Sequence, residues 1–348
     1  MRHRLGGRRE LDFSYMALSI KKEWAEKGYV DEEIPQGLDL VGEIKRLKEQ
    51  KNAVLMAHYY QQGDIQDIAD IIGDSLALAQ KAVGIKADVI LLAGVHFMGE
   101  TVKILNPEKK VLIPDFNAGC SLADSCQPVD FASFLAQHPD HKVISYVNTS
   151  AEIKAMTDVV VTSTNALQIV NTFPADAKLI FGPDRNLGSY INAQTGRHML
   201  LWDGACHVHE QFSLEKIIEL KKQFPDAELI AHPECKHQII VLADFVGSTA
   251  ALLSHIGKSQ AKRFIVATES GILHQMQKSY PDKELIPAPP MDSTCGCNNC
   301  NYMKLNTLQK IYLTLKYEWP EVTVDPVVAQ KARRPIDAML ELSKNFAK

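Results

Sequence analysis

Short apolar runs alternate with stretches whose apolar residues recur at helical spacing, from about residue 53 to residue 287. This alternation predicts parallel α/β structure, with strands covered on both faces by the helices between them. The first run, AVLMA at 53–57, ends in His58-Tyr59-Tyr60; a helical pattern from Asp64 follows, with Ile65, Ile68 and Ala69 on one face. Runs at 69–72, 88–93 and 110–114 come next, the last leading to Cys120. The order then recurs at 142–145, 158–161, 178–181 and 198–202, leading to Cys206. A third round occupies 228–231, 244–246, 263–267 and 284–287, leading to a cysteine cluster that ends at Cys300.

The rounds keep one register. His58, Tyr146 and His232 are 88 and 86 residues apart, and so are Tyr60, Asn148 and Glu234. Ser75, Ser163 and Thr249 repeat the same two intervals, as do Asp70, Asp158 and Asp244. Cys120, Cys206 and Cys300 are 86 and 94 apart, the extra residues falling in the Pro-rich stretch before Cys295. An internal repeat of this period is a small domain rather than a solenoid unit. The expected fold is therefore α/β: three homologous α/β/α domains at 38–126, 127–212 and 213–305, each with about four parallel strands. They are expected about a pseudo-threefold axis, with the active site at the centre. Residues 1–37 read as an N-terminal extension and helix, and 306–348 as a helical segment packed on a domain face. A single large doubly wound sheet is the competing architecture, which the repeat disfavours.

Ligands of open parallel sheets sit beyond the carboxyl ends of the strands, where the polar residues of each repeat stand. Residues i and i+2 of extended chain point the same way, so His58/Tyr60, Tyr146/Asn148 and His232/Glu234 form one inward pair per domain. With one cysteine from each domain, a central cavity would receive three thiolates. That set suits a metal centre with a coordination position left open, either zinc or a 4Fe-4S cluster. Repeat position does not decide which of Cys295, Cys297 and Cys300 takes part. Ser163 and Ser248-Thr249 precede helical patterns, where they cap the helix and leave N–H groups for an anion, favouring a small polyanionic substrate. His207 and His209 alternate as on extended chain, so one of them should face inward. No GxGxxG or GxxxxGK[ST] sequence occurs, so nucleotide binding has no support.

Composition narrows the classes. The 348 residues carry a net charge of −4, which argues against a nucleic-acid or anionic-membrane binder. No apolar run approaches the roughly 20 residues of a membrane span. The basic start (Arg2, Arg4, Arg8, Arg9) leads into mixed sequence rather than an apolar stretch, so a cytoplasmic chain is expected. Seven cysteines cannot all pair, and in a reducing compartment they read as metal or catalytic groups, with Cys126 and Cys235 serving equally well as buried small hydrophobes.

Several stretches together resemble the quinolinate synthase (NadA) family: AHYYQ at 57–61, GDSLALA at 73–79, AGCSLAD at 118–124, YVNTSAE at 146–152 and TSTNA at 162–166. PDRNLG at 183–188, WDGACHVHE at 202–210, HPEC at 232–235, GST at 247–249, ATESGILH at 267–274 and CNYMKLNTL at 300–308 continue the series in order. Residues 1–15 lie outside the resemblance and read as an extension. The resemblance implies three homologous domains around a central site, and condensation of iminoaspartate with dihydroxyacetone phosphate to quinolinate, phosphate and water in NAD biosynthesis. It implies a 4Fe-4S cluster on Cys120, Cys206 and Cys300 with one open iron, and a functional link to L-aspartate oxidase or aspartate dehydrogenase. By the same resemblance, His58, Ser75, Tyr146, Asn148, Ser163, His209, His232, Glu234 and Thr249 hold substrate. Proton transfer falls to Glu234, Tyr60, His58 and His232. Glu234 is the one carboxylate among the strand-end pairs, and anionic substrates beside it should raise its pKa. Cys295 and Cys297 are extra thiols with an open role, expected to form a reversible disulfide with Cys300 when reductant is scarce. Another 4Fe-4S hydro-lyase and a non-catalytic metal-binding sensor are the rival functions.

Overall fold

The computed structural model describes residues 21–292 and 298–346; Cys295 and Cys297, with their expected disulfide, lie outside the described residues, as does the extension at 1–15. The alternating pattern becomes twelve strands in three sheets. The first sheet contains β1 (Ala53–His58), β2 (Ile71–Gly73), β3 (Val89–Ala93) and β4 (Lys110–Leu112). The second contains β5 (Lys142–Tyr146), β6 (Val159–Val161), β7 (Leu179–Gly182) and β8 (Leu200–Leu201). The third contains β9 (Glu228–Ala231), β10 (Phe245–Val246), β11 (Arg263–Ala267) and β12 (Glu284–Pro287). Strand order is the same in each, with the second strand at one edge: β2-β1-β3-β4, β6-β5-β7-β8 and β10-β9-β11-β12. All pairings are parallel, with Met56 opposite both Ile71 and Leu92, for example.

The repeated aspartates explain their own register. Asp70, Asp158 and Asp244 stand immediately before the short edge strands. Their carboxylates accept hydrogen bonds from the N–H groups of Leu55, Val143 and Leu229 at 2.8, 2.8 and 2.7 Å. Their own N–H groups donate back to the carbonyls of the same three residues. Lys48, Lys142 and Lys221 pair with the three carboxylates from the solvent side. Edge strands of two or three residues offer few ladder bonds, and this side-chain bridge adds one at each start.

Burial follows the two-sided pattern. On β1 and β3, Met56, Ile90 and Leu92 face one core while Leu55, Leu91 and Ala57 face another. The first of these cores continues through Ile144, Val160 and Phe181 of the second sheet. The third sheet separates Leu229 and Ile265 from Ile230 and Phe264 in the same way. Helix Pro326–Lys344 lies against helices His96–Leu105 and Ala151–Ala155 and against β6, burying Ile336 and Met339, while helix Leu308–Tyr317 covers helix Leu40–Gln50. The helical ends thus brace the first two sheets.

Candidate active site

The strand ends of all three sheets open on one cavity with about 680 Å³ of space free of atoms, its open mouth included. The first sheet contributes His58, Tyr60, Ser75 and Cys120, and the second Tyr146, Asn148, Ser163, Cys206 and His209. His232, Glu234, Thr249 and Cys300 come from the third. Every residue singled out for the site lines this cavity.

Each cysteine stands just before a helical turn: Ser121–Asp124, His207–Glu210 and Met303–Leu305. The N–H of the third residue on points back at each sulfur, from Ala123, His209 and Met303. Ser121 and His207 occupy equivalent positions in two repeats and join at 2.7 Å, so the first two cysteine turns touch. The three cysteines retain some exposed area yet lie deep among protein atoms, because what they expose faces the cavity. Burial pushes the Cys120 thiol up to about 12 and raises Cys206 and Cys300 as well. Unpaired buried thiols of this kind ionise when a cationic group supplies the missing charge.

Cys206 Sγ, a ring nitrogen of His209 and a carboxylate oxygen of Glu234 lie within 4.8 Å of one another, so the second sheet's thiol stands beside the polar wall. The three free cysteines line the same cavity, one from each sheet.

Glu234 is the hub of the polar wall. Its Oε1 accepts from the Tyr146 hydroxyl at 2.5 Å, and its Oε2 lies 3.0 Å from His209 Nδ1. The latter is the shortest contact between the carboxylate and an imidazole. His232 Nδ1 is 3.7 Å away on the other side, and the two imidazoles stack at 4.7 Å. Burial alone would raise the Glu234 carboxyl. The neighbouring imidazoles and the hydrogen bonds outweigh it and hold the group down to about 2. Burial also lowers His58 and His232 to about 3. At neutral pH His58 and His232 are therefore neutral. The protein's own surroundings thus depress this carboxyl.

Around the hub, hydroxyls and imidazoles form a chain across the sheets. Tyr60 Oη meets Thr249 Oγ1 at 2.9 Å and Thr268 Oγ1 at 3.0 Å, and His209 Nε2 reaches the same Thr268 at 3.1 Å. His232 Nε2 meets Ser163 Oγ at 3.1 Å. Burial raises the Tyr60 and Tyr146 phenols well above their ordinary range, so both act as neutral donors. Ser75 and Thr249 open the helices Ser75–Ala82 and Thr249–Lys258, whose N-terminal ends therefore face the cavity. The Asn148 Oδ1 atom is buried without a partner, an unmet hydrogen-bonding position in the cavity wall.

Two expectations change in detail. Residues 207–210 form a helical turn rather than extended chain; His209 still turns inward, while His207 bonds Ser121. Two buried carboxylates escaped the sequence reading. Asp184 accepts from the Cys206 N–H at 3.3 Å, and Glu269 accepts from the Cys300 N–H at 3.0 Å and pairs with Lys304. Both stand two residues beyond the third strand of their sheet (β7 and β11), a signal available from the repeat once strand ends were assigned.

Comparison with known proteins agrees with this layout. Residues 42–341 match a family model described as "Quinolinate synthetase A protein". The chain is 60% identical over 305 residues to a quinolinate synthase of Microcystis aeruginosa, covering 88% of this chain and 95% of that protein. It is 58% identical over 305 residues to one from a Synechocystis species, covering 88% and 96%. Against one from a Cyanothece species it is 57% identical over 310 residues, covering 89% and 95%.

Proposed function

Because the chain belongs to the quinolinate synthetase A family, we propose that it makes quinolinate for NAD biosynthesis by condensing iminoaspartate with dihydroxyacetone phosphate, releasing phosphate and water. The observation that carries this reading is the single cavity into which three sheets each send one free thiol and a set of neutral donors.

The polar wall suits these substrates. Iminoaspartate brings two carboxylates and the triose a phosphate. Ser75 and Thr249 at helix starts, with Ser163 and the amide of Asn148, offer uncharged donors to them. His58 and Tyr146 complete the binding wall. An anion entering beside Glu234 raises its depressed pKa, so the Glu234 carboxylate takes up a proton at the moment substrate is in place. Tyr60 and His232 are held by the hydroxyls of Thr249, Thr268 and Ser163, and His58 Nδ1 accepts from the Tyr60 N–H at 3.1 Å, which positions all three for the proton transfers of enolisation and dehydration. Cys120, Cys206 and Cys300 would hold a 4Fe-4S cluster, which supplies Lewis acidity at an open iron for loss of hydroxide in the last step.

The remaining expectations belong to the same proposal: three α/β/α domains at 38–126, 127–212 and 213–305 about a pseudo-threefold axis, a cytoplasmic location, and supply of the unstable imine by L-aspartate oxidase or aspartate dehydrogenase. Among the described residues, no helix is long and apolar enough to cross a membrane.

An anaerobic assay of the iron–sulfur-reconstituted chain with both substrates, scoring quinolinate, tests the reading. Quinolinate should form, and single Ala replacements at Cys120, Cys206 or Cys300 should abolish both cluster absorbance and product. Cys126→Ala and Cys235→Ala should retain both, since these buried thiols lie in apolar clusters. A brown, fully loaded protein that makes no quinolinate would overturn it.

A further inference from the structure

Three side chains, one from each sheet unit, meet at a hydroxyl hidden by the cavity wall. Thr268 is 1% exposed and lies behind Tyr60 and His209, which both line the cavity. Its Oγ1 is 3.0 Å from Tyr60 Oη of the first unit and 3.1 Å from His209 Nε2 of the second. Two of these three residues depart from the repeat. Ala93 pairs with Ala57, Gly182 with Ser145 and Ala267 with Ala231, so the next residue along is Gly94, Pro183 and Thr268 in the three units. Three residues beyond the cysteines stand Ala123, His209 and Met303. A hydroxyl is present in one unit alone and an imidazole in one other, and these two departures are bonded to each other.

A hydroxyl has one proton and two lone pairs, so Thr268 serves both partners at once. Its branched Cβ restricts where that oxygen can stand. Tyr60 Oη has Thr249 Oγ1 as its other partner at 2.9 Å, and its ring meets His58 edge-on with centres 4.5 Å apart. Thr249 faces the cavity, where substrate competes for its hydroxyl; Thr268 is out of substrate's reach and keeps its hold on the phenol. On the far side, His209 Nδ1 lies 3.0 Å from Glu234 Oε2. One line of contacts, Tyr60–Thr268–His209–Glu234, therefore spans all three units and sets the distance between two groups assigned to proton transfer. We propose that Thr268 is a positioning residue of the reaction proposed above: its oxygen fixes the Tyr60 phenol relative to Glu234 without touching substrate. This deepens the enzymatic reading and rests on Tyr60 acting in proton transfer.

The test uses the iron–sulfur-reconstituted full chain. Thr268→Val keeps the shape and removes the oxygen; kcat should fall roughly 10–100-fold, with KM for both substrates and cluster absorbance at parental values. Thr268→Ala serves the same comparison where the valine form does not accumulate. Thr268→Ser keeps the oxygen on a freer rotor and should return kcat to within about threefold of the parent. In a Tyr60→Phe background, Thr268→Val should add no further loss, because the partner it positions is gone. Parental kcat in Thr268→Val, multiplied losses in the double variant, a serine form as slow as the valine form, or a loss traced to missing iron would each overturn the proposal. Fluorine NMR of the chain labelled with 3-fluorotyrosine reads the placement without turnover, the Tyr60 signal being the one absent from Tyr60→Phe. That signal should shift and broaden in Thr268→Val and keep its parental position in Thr268→Ser; a signal unmoved by Thr268→Val overturns the placement whether or not the parent makes quinolinate. A parent that makes no quinolinate while the signal behaves as expected sinks the enzymatic reading alone.

Discussion

Glu234 concentrates what single residues decide in this cavity. Its carboxylate, held well below the usual range, meets Tyr146, His209 and His232 within 3.7 Å. Glu234→Gln keeps the shape and the Tyr146 contact but removes the titrating oxygen. It should retain full iron while kcat falls by roughly 10²–10⁴-fold, the usual loss of a general acid or base. Ser163→Ala and Thr249→Val remove neutral donors and should act mainly on KM, by about tenfold each. Steady-state kinetics beside iron content separates the two behaviours; parental turnover in Glu234→Gln would make that residue structural. Glu234, Tyr146 and His232 were legible from the i, i+2 pairs, and Ser163 and Thr249 from the repeat register. The depressed carboxyl was not, because it depends on Tyr146 and His209, which reach Glu234 from the second unit.

At the scale of elements, the turn carrying Cys300 is held by Glu269 at the end of β11. The carboxylate accepts from Cys300 N–H at 3.0 Å and from Gly271 N–H at 2.7 Å, and it pairs with Lys304, whose ammonium also reaches the Tyr60 carbonyl. One buried group thus ties the third cysteine to the first sheet. Glu269→Gln leaves Lys304 facing an uncharged amide and should cost on the order of 3 kcal/mol, measured by denaturant unfolding. In the cluster-free protein, Cys300 should alkylate faster while Cys120 keeps its parental rate; unchanged Cys300 reactivity would remove Glu269 from this positioning role. The strands themselves were readable, because buried parallel strands are continuous apolar runs bounded by turn residues. Residues 207–210 misread for a physical reason: one turn of helix is too short to show a 3.6-residue period.

Across the whole molecule, the contact between the first two sheet units contains a wholly buried lysine. Lys154 donates to the Thr149 carbonyl, and its ammonium lies 5.4 Å from the Phe97 ring centre. Burial lowers its pKa from 10.5 to about 8. Between about pH 8 and 10.5 the unfolded chain therefore keeps a proton that the native chain has lost, so this residue makes stability rise with pH across that window. Below pH 8 both states are charged and the contribution is flat. Lys154→Met should abolish the rise, which amounts to about 3 kcal/mol for a shift of this size. Parallel stability curves for parent and variant from pH 7 to 10.5 would show the lysine to be charged in the native fold.

The order of apolar runs and the fixed offsets of His, Tyr, Asp and Cys were enough to determine three equivalent α/β units and the residues at their strand ends. Both follow from local periodicity and from repetition, which are properties of the chain alone. Tertiary structure decided the rest. That Asp70, Asp158 and Asp244 bridge edge strands, while their neighbours in the same repeat line a cavity, depends on which backbone lies opposite. That Tyr146 meets Glu234 and Tyr60 meets Thr249, pairs 88 and 189 residues apart, depends on how the three units come together. Spacing along a chain reports which side chains share a face. It carries no information on the distance between faces, and that distance decides which groups bond and which proton is held.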